Sequence, residues 1–151
     1  MAQLRSFLLL CGSAMLWASV GSPVRASVAY VLNCCNHPST VSVVDTASSR
    51  QTGQWSVGTD AFAAVFSPDG STAYISSEVS ESVSVVQVST GNVLATIPTG
   101  YQVTWMAITP DGSKLFAQSY DYAYESHIIA INTATNTVIN TADTERCWAR
   151  W

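Results

Sequence analysis

One short motif occurs twice in this chain and limits the folds that the chain can adopt. Residues 67–75 read SPDGSTAYI, and residues 109–117, 42 positions later, read TPDGSKLFA. A Ser/Thr-Pro-Asp-Gly run is typical of a tight turn, because proline presets one backbone angle, aspartate bonds the local backbone and glycine adopts left-handed angles. The apolar stretches on both sides predict the arms of a β-hairpin. A hairpin repeated at this interval indicates a repeat architecture.

The repeat extends beyond the turn. VSVVDTASS starts at Val41, VSVVQVSTG starts at Val83, and IIAINTATN at Ile128 is a third copy. Alternating β-branched residues predict four strands per unit, which we name a to d in chain order. The predicted strands are 28–33, 72–77 and 114–119 (b), 40–46, 82–88 and 127–133 (c), 51–57, 92–98 and 136–142 (d), and 61–67 and 103–109 (a). Four short antiparallel strands per unit are typical of one blade of a β-propeller.

The first 26 residues have the pattern of a secretory signal peptide. Arg5 precedes the apolar stretch FLLLCGSAMLWASV at 7–20, and VRA at 24–26 offers small residues for cleavage after Ala26. The apolar stretch is short for a membrane span, which needs about 20 residues. We therefore expect an exported protein, periplasmic or extracellular, with no membrane span after the signal is removed.

The remaining segment, 27–151, is predicted to be all-β and to form a partial propeller. Its blades are predicted at 28–58, 59–100 and 101–143, and the tail 144–151 matches no repeat unit. The first blade starts at strand b, so it lacks its inner strand. Because propellers close with about four to eight blades, we expect an incomplete ring, the N-terminal portion of a longer chain. The alternative is a short protein that completes itself by self-association.

The same residues resemble a known repeat family. AYVLN (29–33), VSVVDTA (41–47), NTATNTVIN (132–140) and the two Pro-Asp-Gly turns are similar to the YVTN-type β-propeller repeat, over about residues 28 to 142. The resemblance implies an exported propeller, and it carries little information about a ligand. Related propellers include lactonases and parts of periplasmic redox enzymes. The sequence departs from the repeat at Gln87, where the family favours aspartate.

The loops that vary in length mark the expected binding face. In an antiparallel meander the b–c and d–a loops lie at one end and the a–b and c–d turns at the other. Only the b–c loops differ in length, and loops without a turn constraint are where sites are usually built. The residues expected on this face are Asp60, Glu78, Glu81, Tyr101, Gln102, Trp105, Asp121, Tyr122, Tyr124 and Glu125. Such an acidic and aromatic surface suits a cationic partner, a metal ion or a sugar, and the alternative is a solvated loop face without a ligand.

Three cysteines remain once the signal is removed, and this odd count indicates a free thiol, an intermolecular bridge or an incomplete sequence. Two specific arrangements follow from their positions. Cys34, Cys35 and His37 are the nearest approach to a metal site, but adjacent cysteines chelate zinc poorly. A disulfide from Cys34 or Cys35 to Cys147 is the other interpretation, since an exported protein meets an oxidising compartment.

No catalytic signature is complete. GQWSVG at 53–58 resembles a nucleophile elbow, but its first glycine is one residue too early. His127 has no evident acidic partner, and Asp69 and Asp111 are turn residues. The ten acidic residues outnumber the six basic ones, which argues against nucleic-acid binding. The sequence thus predicts a non-catalytic scaffold without a cofactor that binds a ligand or protein. The alternative is part of a propeller enzyme, a lactonase-like hydrolase or periplasmic redox enzyme, with its catalytic residues mostly outside this chain.

Overall fold

The computed structural model describes residues 9–10, 28–34, 38–121, 123 and 125–144, with 9–10 described by their backbone only. All regular structure in these residues is β. The strands are β1 Leu9–Leu10, β2 Val28–Asn33, β3 Thr40–Asp45, β4 Arg50–Ser56, β5 Ala61–Phe66, β6 Thr72–Ser77, β7 Ser82–Gln87, β8 Val93–Pro98, β9 Gln102–Ile108, β10 Lys114–Tyr120, β11 Ser126–Asn132 and β12 Thr137–Thr144. This part of the chain contains no helix with the length and apolar character that a membrane crossing requires.

The strands form three separate four-stranded sheets in chain order, β1 to β4, β5 to β8 and β9 to β12. We call these sheets blade one, blade two and blade three. Blades two and three are antiparallel meanders, and β2 to β4 of blade one are antiparallel as well. The described residues therefore form an all-β, incomplete ring of propeller blades, which confirms the predicted fold class.

The inner edge of blade one differs from that of the other blades. The first strand there is β1, which has only two residues and runs parallel to β2, with Leu9 opposite Tyr30 and Leu10 opposite Val31. Blades two and three instead begin with the antiparallel strands β5 and β9. Among the described residues, blade one thus lacks an antiparallel inner strand, and two residues of the predicted signal peptide lie in its place.

The two repeated turns form as the sequence predicts. Asp69 Oδ1 accepts hydrogen bonds from Ser67 Oγ at 2.6 Å and from the Ser71 backbone N–H at 3.0 Å. Asp111 accepts the same pair of bonds in blade three, from a threonine hydroxyl and a serine N–H. Hydrogen bonds from the hydroxyl two residues upstream, then from the downstream serine, lower the pKa of each aspartate to about 2. Each turn is therefore stabilised by contacts within its own few residues.

Blade two is the most deeply buried sheet, because both of its faces are covered. Ala73, Ile75 and Val86 face blade one and pack with Tyr30 and Trp55. The alternate side chains of the same strands face blade three, where they form a second core. Its members are Tyr74, Val83, Val85, Ile97, Val103, Leu115, Ala117, Ile129 and Ile131. The period-two alternation of a strand supplies both cores from one sheet.

The outer face of blade three, by which we mean the face that points away from blade two, is exposed. Phe116 occupies the position in blade three that Tyr74 occupies in blade two, yet Phe116 is 40% exposed and Tyr74 only 5%. Ile139 is half exposed on β12, the edge strand of the same sheet. The difference arises because blade three covers Tyr74, while no described residue covers Phe116 in the same way.

Candidate binding face at the b–c and d–a loops

The b–c and d–a loops of blades two and three meet at one end of the sheets, which we call the loop face. Backbone hydrogen bonds join neighbouring loops: Glu78 N–H donates to Asp60 O at 3.1 Å, and Thr99 N–H donates to Glu81 O at 2.8 Å. Asp60 and Glu81 have left-handed backbone angles, with φ of 49° and 46°. Both residues thus shape the loops in addition to presenting a carboxylate.

A side-chain hydrogen bond connects blades two and three on this face. Tyr120, the last residue of β10, donates its hydroxyl to Glu78 Oε1 in the b–c loop of blade two. Glu78 is one of the predicted site residues, whereas Tyr120 was not predicted. The bond brings a carboxylate and a phenol together across the boundary between two blades.

His127 is the most deeply buried ionisable residue of the loop face. Its side chain is 6% exposed, its Nδ1 lies 2.9 Å from Asp143 Oδ1, and its Nε2 lies 3.8 Å from Asp121 Oδ2. The expectation that His127 has no acidic partner is therefore wrong. Asp143 lies directly opposite His127 in the β11–β12 ladder. The predicted strand d ends at residue 142, and the register shift between Ala130 and Ile131 brings Asp143 opposite His127.

The imidazole of His127 faces two carboxylates with unequal contacts. His127 Nε2 is buried without a hydrogen-bond partner among the described residues. A neutral imidazole carries one N–H and can donate a hydrogen bond to one carboxylate, whereas an imidazolium can donate from both nitrogens. Asp121 stays ionised because hydrogen bonds from the backbone N–H groups of Glu125 and Ala123, together with the nearby His127, hold its pKa below the usual value.

Tyr101 covers the imidazole. Its ring centroid is 4.2 Å from that of His127, with 36° between the ring planes. The hydroxyl of Thr99 donates to Tyr101 O at 3.0 Å and fixes the start of this loop segment. Tyr101 was a predicted site residue, and the structure places it against His127.

The other predicted residues are less closely grouped. Gln102 pairs with Tyr120 in the β9–β10 ladder, and Glu125 is exposed in the b–c loop of blade three. Trp105 is 64% exposed within β9 and makes an edge-to-face contact with Phe62 at 6.4 Å. Tyr122 and Tyr124 lie outside the described residues.

Most of the residues in the two cysteine hypotheses lie outside the described part of the chain. Cys34 is half-buried at the end of β2. Cys35, His37 and Cys147 lie outside the described residues, and so do the metal site and the disulfide that they would form. In the part of the chain that is described, no group of three or more His, Cys, Asp or Glu side chains is arranged to hold a metal ion.

A cavity of about 720 Å³ lies between blades one and two. Its blade-two wall is formed by the a–b turn at 69–71 and the c–d turn at 87–89, so this wall is at the end opposite to the loop face. Sequence reasoning assigned no site to these turns. We call this cavity the inter-blade cleft.

Comparisons with known proteins support the fold. No family model and no curated protein matches the chain. The solved structure of Kuenenia stuttgartiensis hydrazine synthase is similar, with a TM-score of 0.66 and 25% identity, over 71% of this chain and 30% of that one. Dihydro-heme d1 dehydrogenase NirN in complex with DHE is similar with a TM-score of 0.62 and 16% identity, over 76% of this chain and 24% of that one.

The chain spans less than a third of the length of either solved chain. Both similar structures are β-propeller proteins. Together with the three four-stranded sheets, the likeness identifies the described residues as blades of a β-propeller.

Proposed function

We propose that this chain is an exported, YVTN-type propeller segment that acts as a binding scaffold and takes a cationic ligand or protein segment at its loop face. The observation that carries the proposal is the polar cluster in which buried His127 lies between Asp121 and Asp143. A blade needs no such cluster, since the equivalent ladder positions in blades one and two carry the uncharged residues Thr40 and Ser82. Buried polar atoms without a partner are rare in native structures, and a binding role is one explanation for them.

The distribution of charge favours a cation. The described acidic residues at the loop face are Asp60, Glu78, Glu81, Asp121, Glu125 and Asp143. The described basic residues, Arg50 and Lys114, begin strands β4 and β10 at the opposite end. A surface of one sign attracts partners of the other sign and raises their rate of association.

The aromatic residues support the same ligand class. Tyr120 bonds the carboxylate of Glu78, and the ring of Tyr101 packs on His127, which lies between Asp121 and Asp143. A ring face next to a carboxylate favours an ammonium or guanidinium group, which gains from both contacts. The role of a scaffold needs no catalytic group from this chain.

The test is isothermal titration calorimetry of the full chain. Tetralysine is titrated in one experiment and tetraglutamate in a parallel one. We expect tetralysine to bind, with an affinity that falls as salt is added, because the carboxylates are exposed. Glu78→Gln together with Asp121→Asn should weaken this binding. Asp111→Asn removes the same kind of charge from the opposite end and is the control. Equal losses at the two ends would overturn the proposal.

A second candidate is the propeller part of an enzyme, either a periplasmic redox enzyme or a lactonase-like hydrolase. The observation that favours it is the likeness to hydrazine synthase and to dihydro-heme d1 dehydrogenase, both named as enzymes. On this alternative, the catalytic residues are contributed mostly from outside this chain. Haem absorbance in protein purified from its natural source would favour the redox enzyme over the scaffold.

A further inference from the structure

The inter-blade cleft has walls of different chemistry. The blade-one wall is mainly apolar and includes Tyr30, Val43 and Trp55. The rings of Tyr30 and Trp55 are 5.0 Å apart. The blade-two wall is polar and includes Asp69 and Gln87. Its volume of about 720 Å³ is in the range of pockets that hold small ligands, about 300–1,000 Å³.

A glycine keeps the cleft open. Gly53 lies in the middle of β4 and lines the cleft. Its backbone does not require glycine: φ is not positive, and an added Cβ would meet only Val43, at an ordinary 3.6 Å. Ala95 is the corresponding residue of blade two. Gly53 pairs with Val43 and Ala95 pairs with Val85, and in both blades the register of the ladder shifts directly after this pair. Glycine within a strand often marks a place where a ligand approaches closely.

The blade-two side of the cleft makes a close contact with Trp55 and has an internally hydrogen-bonded turn. The indole of Trp55 lies directly on the main chain of Gly91, since a Cβ there would be 2.0 Å from Trp55 Cδ1. The Ser71 hydroxyl donates to Asp69 Oδ2 at 2.8 Å, and no other described residue bonds this oxygen. Asp69 Oδ2 therefore has a free lone pair in a turn whose conformation is already set.

The charge of the cleft is negative. Asp69 is the one charged side chain among the described residues that line it, and none of these lining residues is lysine, arginine or histidine. The hydrogen bonds from Ser67 and Ser71 that lower the pKa of Asp69 to about 2 keep it ionised at any physiological pH. An anionic ligand would meet repulsion here, and a wholly apolar one would leave the carboxylate without a partner.

We propose that the inter-blade cleft binds a small organic cation, with its apolar body against Tyr30, Val43 and Trp55 and its protonated amino group beside Asp69. The amino group donates to Asp69 Oδ2, and the Gln87 side chain lies on the same wall. Ring faces next to the ammonium add a cation–π contribution. This site is separate from the loop face and does not depend on the function proposed for that face.

The experiment compares three test ligands of the same size on the full chain near neutral pH, by saturation-transfer NMR. Phenethylamine carries the cation, phenethyl alcohol is its neutral counterpart and phenylacetate is its anionic counterpart. We expect phenethylamine to bind more tightly than the other two. Gly53→Val, which places a β-branched side chain in the cleft, should abolish this binding. Gly53→Ala, the blade-two residue, should weaken it.

The chain supplies a matched control for the carboxylate. Asp69→Asn should weaken phenethylamine binding roughly fivefold, the loss expected for an exposed ion pair. Asp111→Asn removes an aspartate with the same turn contacts in blade three and should leave binding unchanged. The proposal is overturned if phenethylamine does not bind, if the alcohol or the acid binds equally well, if Gly53→Val retains binding, or if Asp111→Asn has the effect of Asp69→Asn.

Discussion

The hydroxyl of Tyr120 is hydrogen-bonded to the carboxylate of Glu78, and the two residues are 42 positions apart in the sequence. They occupy the same place in successive repeat units, directly after Ser77 in blade two and after Ser119 in blade three. Because the two units carry different residues at this place, the phenol of one blade meets the carboxylate of the previous blade. The repeat thus provides a connection between blades that identical units could not make.

Removing this connection should lower stability. Tyr120→Phe leaves the Glu78 carboxylate without its phenol donor, and we expect a loss of about 1.5 kcal/mol in the free energy of unfolding, typical of hydrogen bonds to charged groups. Urea denaturation followed by fluorescence measures the loss. Tyr101→Phe is the control, since no described residue bonds the Tyr101 hydroxyl. Equal losses for both variants would contradict the assignment.

The contact between His127 and Asp143 should also contribute to stability. Asp143→Ala removes the carboxylate next to Nδ1 of a buried imidazole, and we expect it to cost about 1 kcal/mol. The comparison is with Asn140→Ala on the same exposed strand, β12. Thermal unfolding would show a lower Tm for Asp143→Ala alone, and unchanged Tm values in both variants would mean that the contact adds nothing.

Acid should destabilise the turns within a defined pH range. Asp69 and Asp111 have folded-state pKa values of about 2, below the ordinary 3.8. Their contribution is therefore complete above about pH 4 and is lost as the pH falls from 4 towards 2. The double variant Asp69→Asn, Asp111→Asn should have a stability that depends less on pH in that window. Glu81→Gln, whose side chain makes no hydrogen bond in the described structure, is the control in an acid titration followed by circular dichroism.

The exposed outer face of blade three should promote self-association. Phe116→Asp places a charge on this face, and we expect it to shift the protein towards the monomer in analytical ultracentrifugation. Leu94 is also an exposed apolar residue, but it lies on blade two. Leu94→Asp should have a smaller effect. A wild-type chain that sediments as a monomer at all concentrations would refute this prediction.

Export should expose the inner edge of blade one. If the signal is cleaved after Ala26, mass spectrometry of the exported protein should find Ser27 at the N-terminus. Cleavage would also remove β1, so the amides of β2 should exchange faster than those of β6, its counterpart in blade two. Cytoplasmic protein that still begins at Met1 would contradict this expectation.

The strands could be predicted closely because their signals are local. The predicted strands at 28–33 and 40–46 correspond to β2 at Val28–Asn33 and β3 at Thr40–Asp45. Alternating apolar residues and turn residues mark both ends of each strand. The position of each strand follows from residues next to it in the chain.

The partners of His127 and the inter-blade cleft could not be predicted in the same way. The β11–β12 ladder shifts register between Ala130 and Ile131, so counting back from the turn misplaces the residue opposite His127. The cleft depends on the absence of a side chain at Gly53 and on the packing of a second blade against it. Both features arise from contacts between segments that the sequence pattern alone does not align.

Every antiparallel ladder in the three blades joins strands that follow one another in the chain. A blade can therefore form by pairing adjacent hairpins, because its antiparallel strands are close together in the sequence. Such local connectivity lowers the entropic cost of closing loops and favours fast folding for an all-β protein. The slower step would be the docking of finished blades, when the two cores on either face of blade two are dehydrated. Mutations in the turns should then change the rate of blade formation, and mutations at Tyr74 or Ile75 should change mainly the rate of blade docking.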